Sequence, residues 1–125
     1  MTHAIDWFEI PCQDLPRAQR FYETVLGRPM RREAMGPGQG AVFAYAPPAS
    51  GGCLIERPDR RVAPDAGVCI YLNCDPGLDS VVARVAAAGG AVIDPCITLP
   101  QGRGVIAHLR DTEGNTVGLH ALQRS

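Results

Sequence analysis

No stretch of this 125-residue chain is long and apolar enough to cross a bilayer, and its opening MTHAIDWFEI lacks a cationic segment leading into an apolar one. Neither a spanning helix nor a secretory leader is expected, so no membrane partner is predicted and the chain reads as a soluble cytoplasmic protein. Excess charge is also lacking. Twelve basic and 13 acidic residues, mixed along the chain, leave a formal net charge of −1. Without a basic stripe no nucleic-acid partner is predicted, and a neutral or small one is favoured. Cys12, Cys53, Cys69, Cys74 and Cys96 form an odd set with no CxxC or other zinc-like spacing. A disulfide framework is not expected, and reduced thiols fit best. The 14 Gly and 11 Pro would signal disorder in a polar chain, but apolar residues make up 46%. These glycines and prolines sit between periodic segments and punctuate a fold. The length suits one domain over residues 1–125 with a real core, and is too short for two ordinary ones.

What is present is a βα unit, and then the same unit again. Trp7 to Pro11 is a short aromatic and β-branched run. Asp14 stands where a helix N-cap belongs and Pro16 falls in the first turn, where its missing N–H costs nothing. Ala18, Phe21, Tyr22, Val25 and Leu26 recur at helical spacing, and Gly27 supplies the stop. In the second half CIYLNCDPGLDSVVARVAAAGG repeats the pattern of strand, acidic cap, apolar helix and glycine stop. Pairing Cys12 with Cys74 aligns Trp7 with Cys69, Glu9 with Tyr71 and Pro11 with Asn73. Strand side chains alternate between faces. Phe8, Ile10 and Cys12, like Ile70, Leu72 and Cys74, then share an apolar face suited to the helices. The opposite face carries Trp7 and Glu9 in one copy, Cys69, Tyr71 and Asn73 in the other, a set too polar for a plain core and too aromatic for plain solvent.

The remaining elements complete two copies of βαβββ, at about residues 4–58 and 67–122. Arg28 to Gly40 reads as an edge strand or turn followed by a loop, Ala41 to Ala46 as a strand, and Cys53 to Glu56 as another. Val68 to Cys74 opens the second copy, followed by a helix from Leu78 to about Ala88 capped by Asp75 or Asp79, and strands at Ala91–Ile93, Val105–Arg110 and Thr116–Leu122. Asp111 to Asn115, DTEGN, is a tight turn. His3 is read as tail. The expected class is α+β, with two βαβββ modules whose curved mixed sheets form a cup.

The duplicated module, the DL-x-RA-x-x-FYE-x-VLG run of Asp14 to Gly27 and the closing D-x-EGN-x-x-GLH of Asp111 to His120 resemble the vicinal oxygen chelate superfamily. That superfamily includes glyoxalase I, extradiol dioxygenases and bleomycin resistance proteins, and the likeness covers essentially the whole chain. It implies a glyoxalase-like fold that binds a small organic molecule in the cup, and pairing of two chains into a homodimer. In the metal-dependent members one ligand comes from the first and one from the last strand of each module. Carried across, those positions hold Trp7, Cys53, Cys69 and Gly118, which is not the usual His, Gln and Glu set. No metal is expected at that centre, although a divalent ion at displaced positions stays open.

Counting by twos from the DTEGN turn puts His108 and His120 on the cup face with Glu9, Tyr71 and Asn73. These could bind a displaced metal, act as an acid–base pair, or hydrogen-bond a ligand. Glu9, His108 and His120 are the candidate catalytic residues; Trp7, Cys69, Tyr71 and Asn73 are the candidate ligand contacts. Each has a structural alternative. Glu9 could neutralise Arg110 or Arg103, His120 could be a satisfied rim histidine, and Trp7 and Tyr71 could be filler. Asp59, Arg60 and Arg61 read as solvated loop charges. Two functions remain in play: a lyase, isomerase or dioxygenase, and a metal-free protein that binds an aromatic or drug-like compound.

Overall fold

The computed structural model describes residues 4–64 and 66–125. His3, expected in the tail, lies outside the described residues. The chain runs β1 (Trp7–Pro11), α1 (Leu15–Leu26), β2 (Arg31–Met35), β3 (Gly38–Val42), β4 (Gly51–Glu56), β5 (Tyr71–Asn73), α2 (Leu78–Val85), β6 (Ala91–Thr98), β7 (Val105–Arg110) and β8 (Thr116–Ala121). This is βαβββ twice. Each copy makes its own four-stranded mixed sheet, in the orders β1-β4-β3-β2 and β5-β8-β7-β6. The parallel pairs β1–β4 and β5–β8 match in register. Glu9 lies opposite Cys53, and its repeat mate Tyr71 lies opposite Gly118.

Both helices lie on one side of the sheets. Ile10, Cys12 and Leu54 from the first, and Leu72, Cys74, Leu109 and Leu119 from the second, share one apolar core with Phe21, Tyr22, Leu78 and Val85. Phe8 rests on Phe43 with ring centroids 5.6 Å apart, and Ile70 packs on the same core. The helix-facing phase expected from alternation is therefore the one adopted. Each fully buried Leu or Phe contributes roughly 1.5–3 kcal/mol. Asp14 caps α1 by accepting from the Arg17 N–H at 3.1 Å, and Gly27 closes the helix at φ 67°, where a side chain would be strained.

Several boundaries differ from expectation. The strand expected at Ala41–Ala46 runs instead over Gly38–Val42 and pairs with β2 as a hairpin. Its glycines are packing sites rather than loop: a Cβ at Gly40 would come within 2.7 Å of the Met35 side chain. β5 begins at Tyr71 rather than Val68, which is 91% exposed. β6 continues to Thr98 past Pro95, tolerated because β6 is an edge strand, with register shifts on both sides of Asp94. α2 stops at Val85, three residues short, where the Gly90 N–H donates back to the Val85 carbonyl at 3.0 Å.

Neither Asp75 nor Asp79 caps α2. The helix N-cap is Gly77, and the open N–H groups of Leu78 and Asp79 donate to the Gln123 and Arg124 carbonyls at 3.1 and 2.8 Å. Asp75 instead accepts from the Leu122 N–H at 2.9 Å, and Asp79 pairs with Arg124 at 3.2 Å. The C-terminal segment folds back and does the capping that local sequence assigned to aspartate.

The DTEGN turn is the latch between the modules. Asp111, Glu113 and Asn115 are buried polar residues. Glu113 accepts from the N–H groups of Gln13 and Asp14, both at 2.9 Å, and from Arg17 Nε at 2.7 Å. Burial pushes the Glu113 carboxyl up, but the donors, Arg17 first, outweigh it and hold the pKa at about 2. Asp111 accepts from the Tyr22 hydroxyl at 2.8 Å, and Asn115 donates to the Pro11 carbonyl at 2.8 Å. A turn that belongs to the second module is thereby bonded to the first.

Candidate functional site

The concave faces, turned away from the helices, carry the candidate site. On the second sheet, register alone lines up four residues across all four strands. Tyr71 on β5 is opposite Gly118 on β8, Gly118 opposite His108 on β7, and His108 opposite Asp94 on β6. The side chains close into a chain: the Tyr71 hydroxyl lies 2.7 Å from His108 Nε2, and His108 Nδ1 lies 2.9 Å from an Asp94 carboxylate oxygen. Gly118 makes this reach possible. A Cβ there would sit 2.2 Å from the Tyr71 ring, so the ring crosses β8 only because Gly118 has no side chain.

Two of the residues expected in the cup, Tyr71 and His108, are therefore in contact, and Asp94 joins them. Asp94 was not among the expected residues because the strand was expected to end at Ile93. The Tyr71 hydroxyl is pushed above the ordinary tyrosine range, by loss of hydration first and then by Cys69 and Asp94. It stays a neutral phenol.

Glu9 is not bonded to either histidine. Its carboxylate takes a hydrogen bond from Arg60 at 2.6 Å, so the arginine partner is neither Arg110 nor Arg103. Arg60 sits in a connection that reads as solvated loop, but its guanidinium returns to β1. His120 is engaged with backbone: its Nε2 donates to the Arg103 carbonyl at 2.6 Å and pins the turn where Gln101, Gly102 and Gly104 all have positive φ. Asn73 uses its side-chain oxygen to accept from the Asp75 N–H at 2.8 Å, an Asx turn leading into α2.

Trp7, Tyr45 and Tyr71 are 39, 46 and 44% exposed, large side chains left open at these faces. Trp7 meets Tyr45 edge to face at 6.1 Å, and Tyr45 lies over Gly51, where a Cβ would come within 2.6 Å of its ring. Tyr45 is a further residue missed from sequence, because it lies beyond the end of β3 and its alignment with Trp7 depends on Gly51. Cys69 is exposed at the rim, whereas Cys53 is fully buried and burial, then Glu9, pushes its thiol up to about 11. A cleft of about 560 Å³ opens beside Cys69, between Pro11 of β1 and Arg110 and Thr116 of the second sheet.

The metal positions implied by resemblance are not a donor set. The Trp7 indole N–H and the bare Gly118 offer no lone pair, and Cys53 is a buried, protonated thiol. Among the described residues no three His, Cys, Asp or Glu side chains gather as a metal would require.

Comparison with known proteins accords with this geometry. Maize (Zea mays) glyoxalase I, as its E144Q mutant, superposes with a TM-score of 0.71 at 20% identity, covering 93% of this chain and 46% of the maize chain. A glyoxalase/bleomycin resistance protein from Streptomyces sp. CB03234 gives 0.69 at 24% identity, covering 94% of this chain and 99% of its own. TnmS3, an antibiotic binding protein from the same Streptomyces, gives 0.66 at 23% identity, covering 100% and 98%. At these identities the likeness is one of fold. A search of curated protein sequences finds no match. The sequence profile of one family matches residues 4–119, nearly the whole chain, and on that match the chain belongs to the Glyoxalase/Bleomycin resistance protein/Dioxygenase superfamily.

Proposed function

We propose that this protein binds an aromatic small molecule against the concave faces of its two sheets, without the metal centre of the metal-dependent relatives. The observation that carries the reading is the exchange of donors for aromatic surface. Trp7 occupies one implied ligand position, and at another Gly118 is bare so that the Tyr71 ring can cover it. Aromatic pairs add about 0.5–1.5 kcal/mol beyond area burial. Three open aromatic rings therefore suit a flat apolar ligand better than a hydrated ion. The antibiotic-binding activity of TnmS3 agrees with the reading.

A homodimer completes the site. A second copy would cover concave surface that one chain leaves open around Trp7, Tyr45 and Tyr71. Trp7 and Tyr71 serve as ligand walls, Cys69 as rim, and the Glu9–Arg60 pair as a charged edge, while His120 and Asn73 support the backbone around them. The catalytic alternative, a lyase or isomerase moving a proton, draws on the Tyr71–His108–Asp94 chain rather than on Glu9. The metal-dependent form of that chemistry fits less well, because among the described residues the implied ligand positions Trp7, Cys53, Cys69 and Gly118 do not form a donor set.

A thermal-shift screen of aromatic compounds with EDTA present tests the proposal. A compound at 100 times its Kd stabilises by about 2.7 kcal/mol, which moves Tm by several degrees in a chain of this size. Stabilisation that survives EDTA and disappears in Trp7→Ala and Tyr71→Ala supports the binder. Stabilisation by a divalent ion and by none of the compounds contradicts it.

A further inference from the structure

Resting on the aromatic-ligand reading, we propose that Tyr71 is the polar anchor of the site and is wired to accept a hydrogen bond, so that the ligand it selects carries a hydroxyl donor, a phenol or enol, on its aromatic body. In the neutral form of His108 the wiring follows from donors and acceptors. The Asp94 carboxylate can only accept, and it lies 2.9 Å from His108 Nδ1. A neutral imidazole has one N–H, and Asp94 claims it, which leaves Nε2 with a lone pair. Tyr71, 2.7 Å from that nitrogen, must donate its only proton to it. Tyr71 as a residue is half-exposed, and what its oxygen has left for a ligand is its lone pairs. A ligand ether or carbonyl finds no donor there, whereas a ligand O–H does find an acceptor, strengthened because Tyr71 is itself donating along a polarised chain.

The Cys69 thiol, a weak hydrogen-bonding group, also interacts with the Tyr71 hydroxyl, while the other polar residues of the face are engaged elsewhere. The side-chain oxygen of Asn73 accepts from the backbone N–H of Asp75, His120 Nε2 donates to the Arg103 carbonyl, and the Glu9 carboxylate holds Arg60. Gly118 keeps the arrangement in place, since any side chain there would displace the Tyr71 ring from over β8. Tyr71 is thus the ligand contact, and His108, Asp94 and Gly118 are positioning residues that set which way its proton points.

The test is isothermal titration at pH 8 with two matched probes, 2-naphthol and 2-methoxynaphthalene, which differ in having or lacking the donor. The wild-type protein should prefer the naphthol by about tenfold, the effect of one hydrogen bond. Tyr71→Phe should bind both probes alike, and Gly118→Ala should lose the preference by moving the ring. Asp94→Asn is the sharpest variant. Its amide can donate to His108 Nδ1, which frees Nε2 to carry the proton and donate to Tyr71, so the hydroxyl turns towards the ligand and the preference falls or reverses. If Asp94 were merely structural, both probes would weaken together and its assignment would be overturned. If the wild-type protein binds both probes equally, or Tyr71→Phe keeps the preference, the wiring is wrong while the aromatic site stands. If neither probe binds, both readings fail.

Discussion

Tyr71 and His108 were legible as single residues because period-two counting along β5 and β7 needs only intact strands. Asp94 was not, because β6 carries register shifts on both sides of it and Pro95 beside it, so the alternation loses phase where it mattered. Arg60 was illegible for another reason: it comes from a connection with no period at all, and only the folded path after β4 returns its guanidinium to Glu9. That pair is partly exposed, at 23% for the Glu9 side chain and 45% for Arg60. Such pairs contribute less than about 1 kcal/mol. Glu9→Gln should therefore leave the denaturation midpoint almost unchanged, and any large effect it has should appear in ligand binding. A protein that unfolds on this change would show Glu9 to be structural. The thiols give a second residue-scale prediction. Cys12, Cys53 and Cys74 are buried, and their thiols, raised by burial to about 12, 11 and 11, stay protonated and covered. An aromatic disulfide reagent at pH 8 should titrate two thiols, Cys69 and Cys96, before unfolding and all five after it. A third fast thiol would contradict the burial of these three side chains.

Among the elements, the helices and the strands with clean alternation were readable, and misplacement came where one element is defined by another. The glycines of β3 looked like loop because sequence shows their freedom and hides the Met35 and Glu56 atoms they must approach. The cap of α2 looked like Asp75 or Asp79 because the local rule favours aspartate, whereas the N–H groups are taken by carbonyls more than forty residues away. Deleting residues 123–125 removes both carbonyls and the Arg124 partner of Asp79. By analogy with the loss of a cap, this should cost about 0.5–2 kcal/mol in urea denaturation. An unchanged midpoint would mean that water satisfies the helix start as well as the tail does.

In the molecule as a whole, the two modules are joined through helices that share a core and through the DTEGN latch. The carboxyl of Glu113 has an ordinary pKa of 4.5 and is held at about 2 in the folded chain. A folded value below the unfolded one means that the stabilisation is fully present above about pH 4.5 and is lost as pH falls towards 2. Its size is about 3 kcal/mol, from 1.36 kcal/mol per pKa unit. Stability should decline across that window in the wild-type protein. Glu113→Gln should be less stable at pH 7 and lack this part of the decline; equal acid sensitivity of the two would remove Glu113 from the account. The duplicated architecture was legible because a repeat declares itself twice. The latch was not, since DTEGN reads locally as a turn and its partners Tyr22, Arg17 and Pro11 lie about 90 to 104 residues earlier.

The proposed assembly should appear by light scattering at micromolar concentration as twice the mass of a 13.3 kDa chain. A monomer would mean that one chain must form the site alone. The central claim, an aromatic ligand held by aromatic surface in place of a metal, is tested most directly by a crystal structure grown with 2-naphthol in the presence of EDTA. The account predicts the naphthalene ring against Trp7 and Tyr71 with its hydroxyl on the Tyr71 oxygen. A ring bound elsewhere, such as the cleft beside Pro11 and Arg110, or bound only when a divalent ion replaces EDTA, would contradict it.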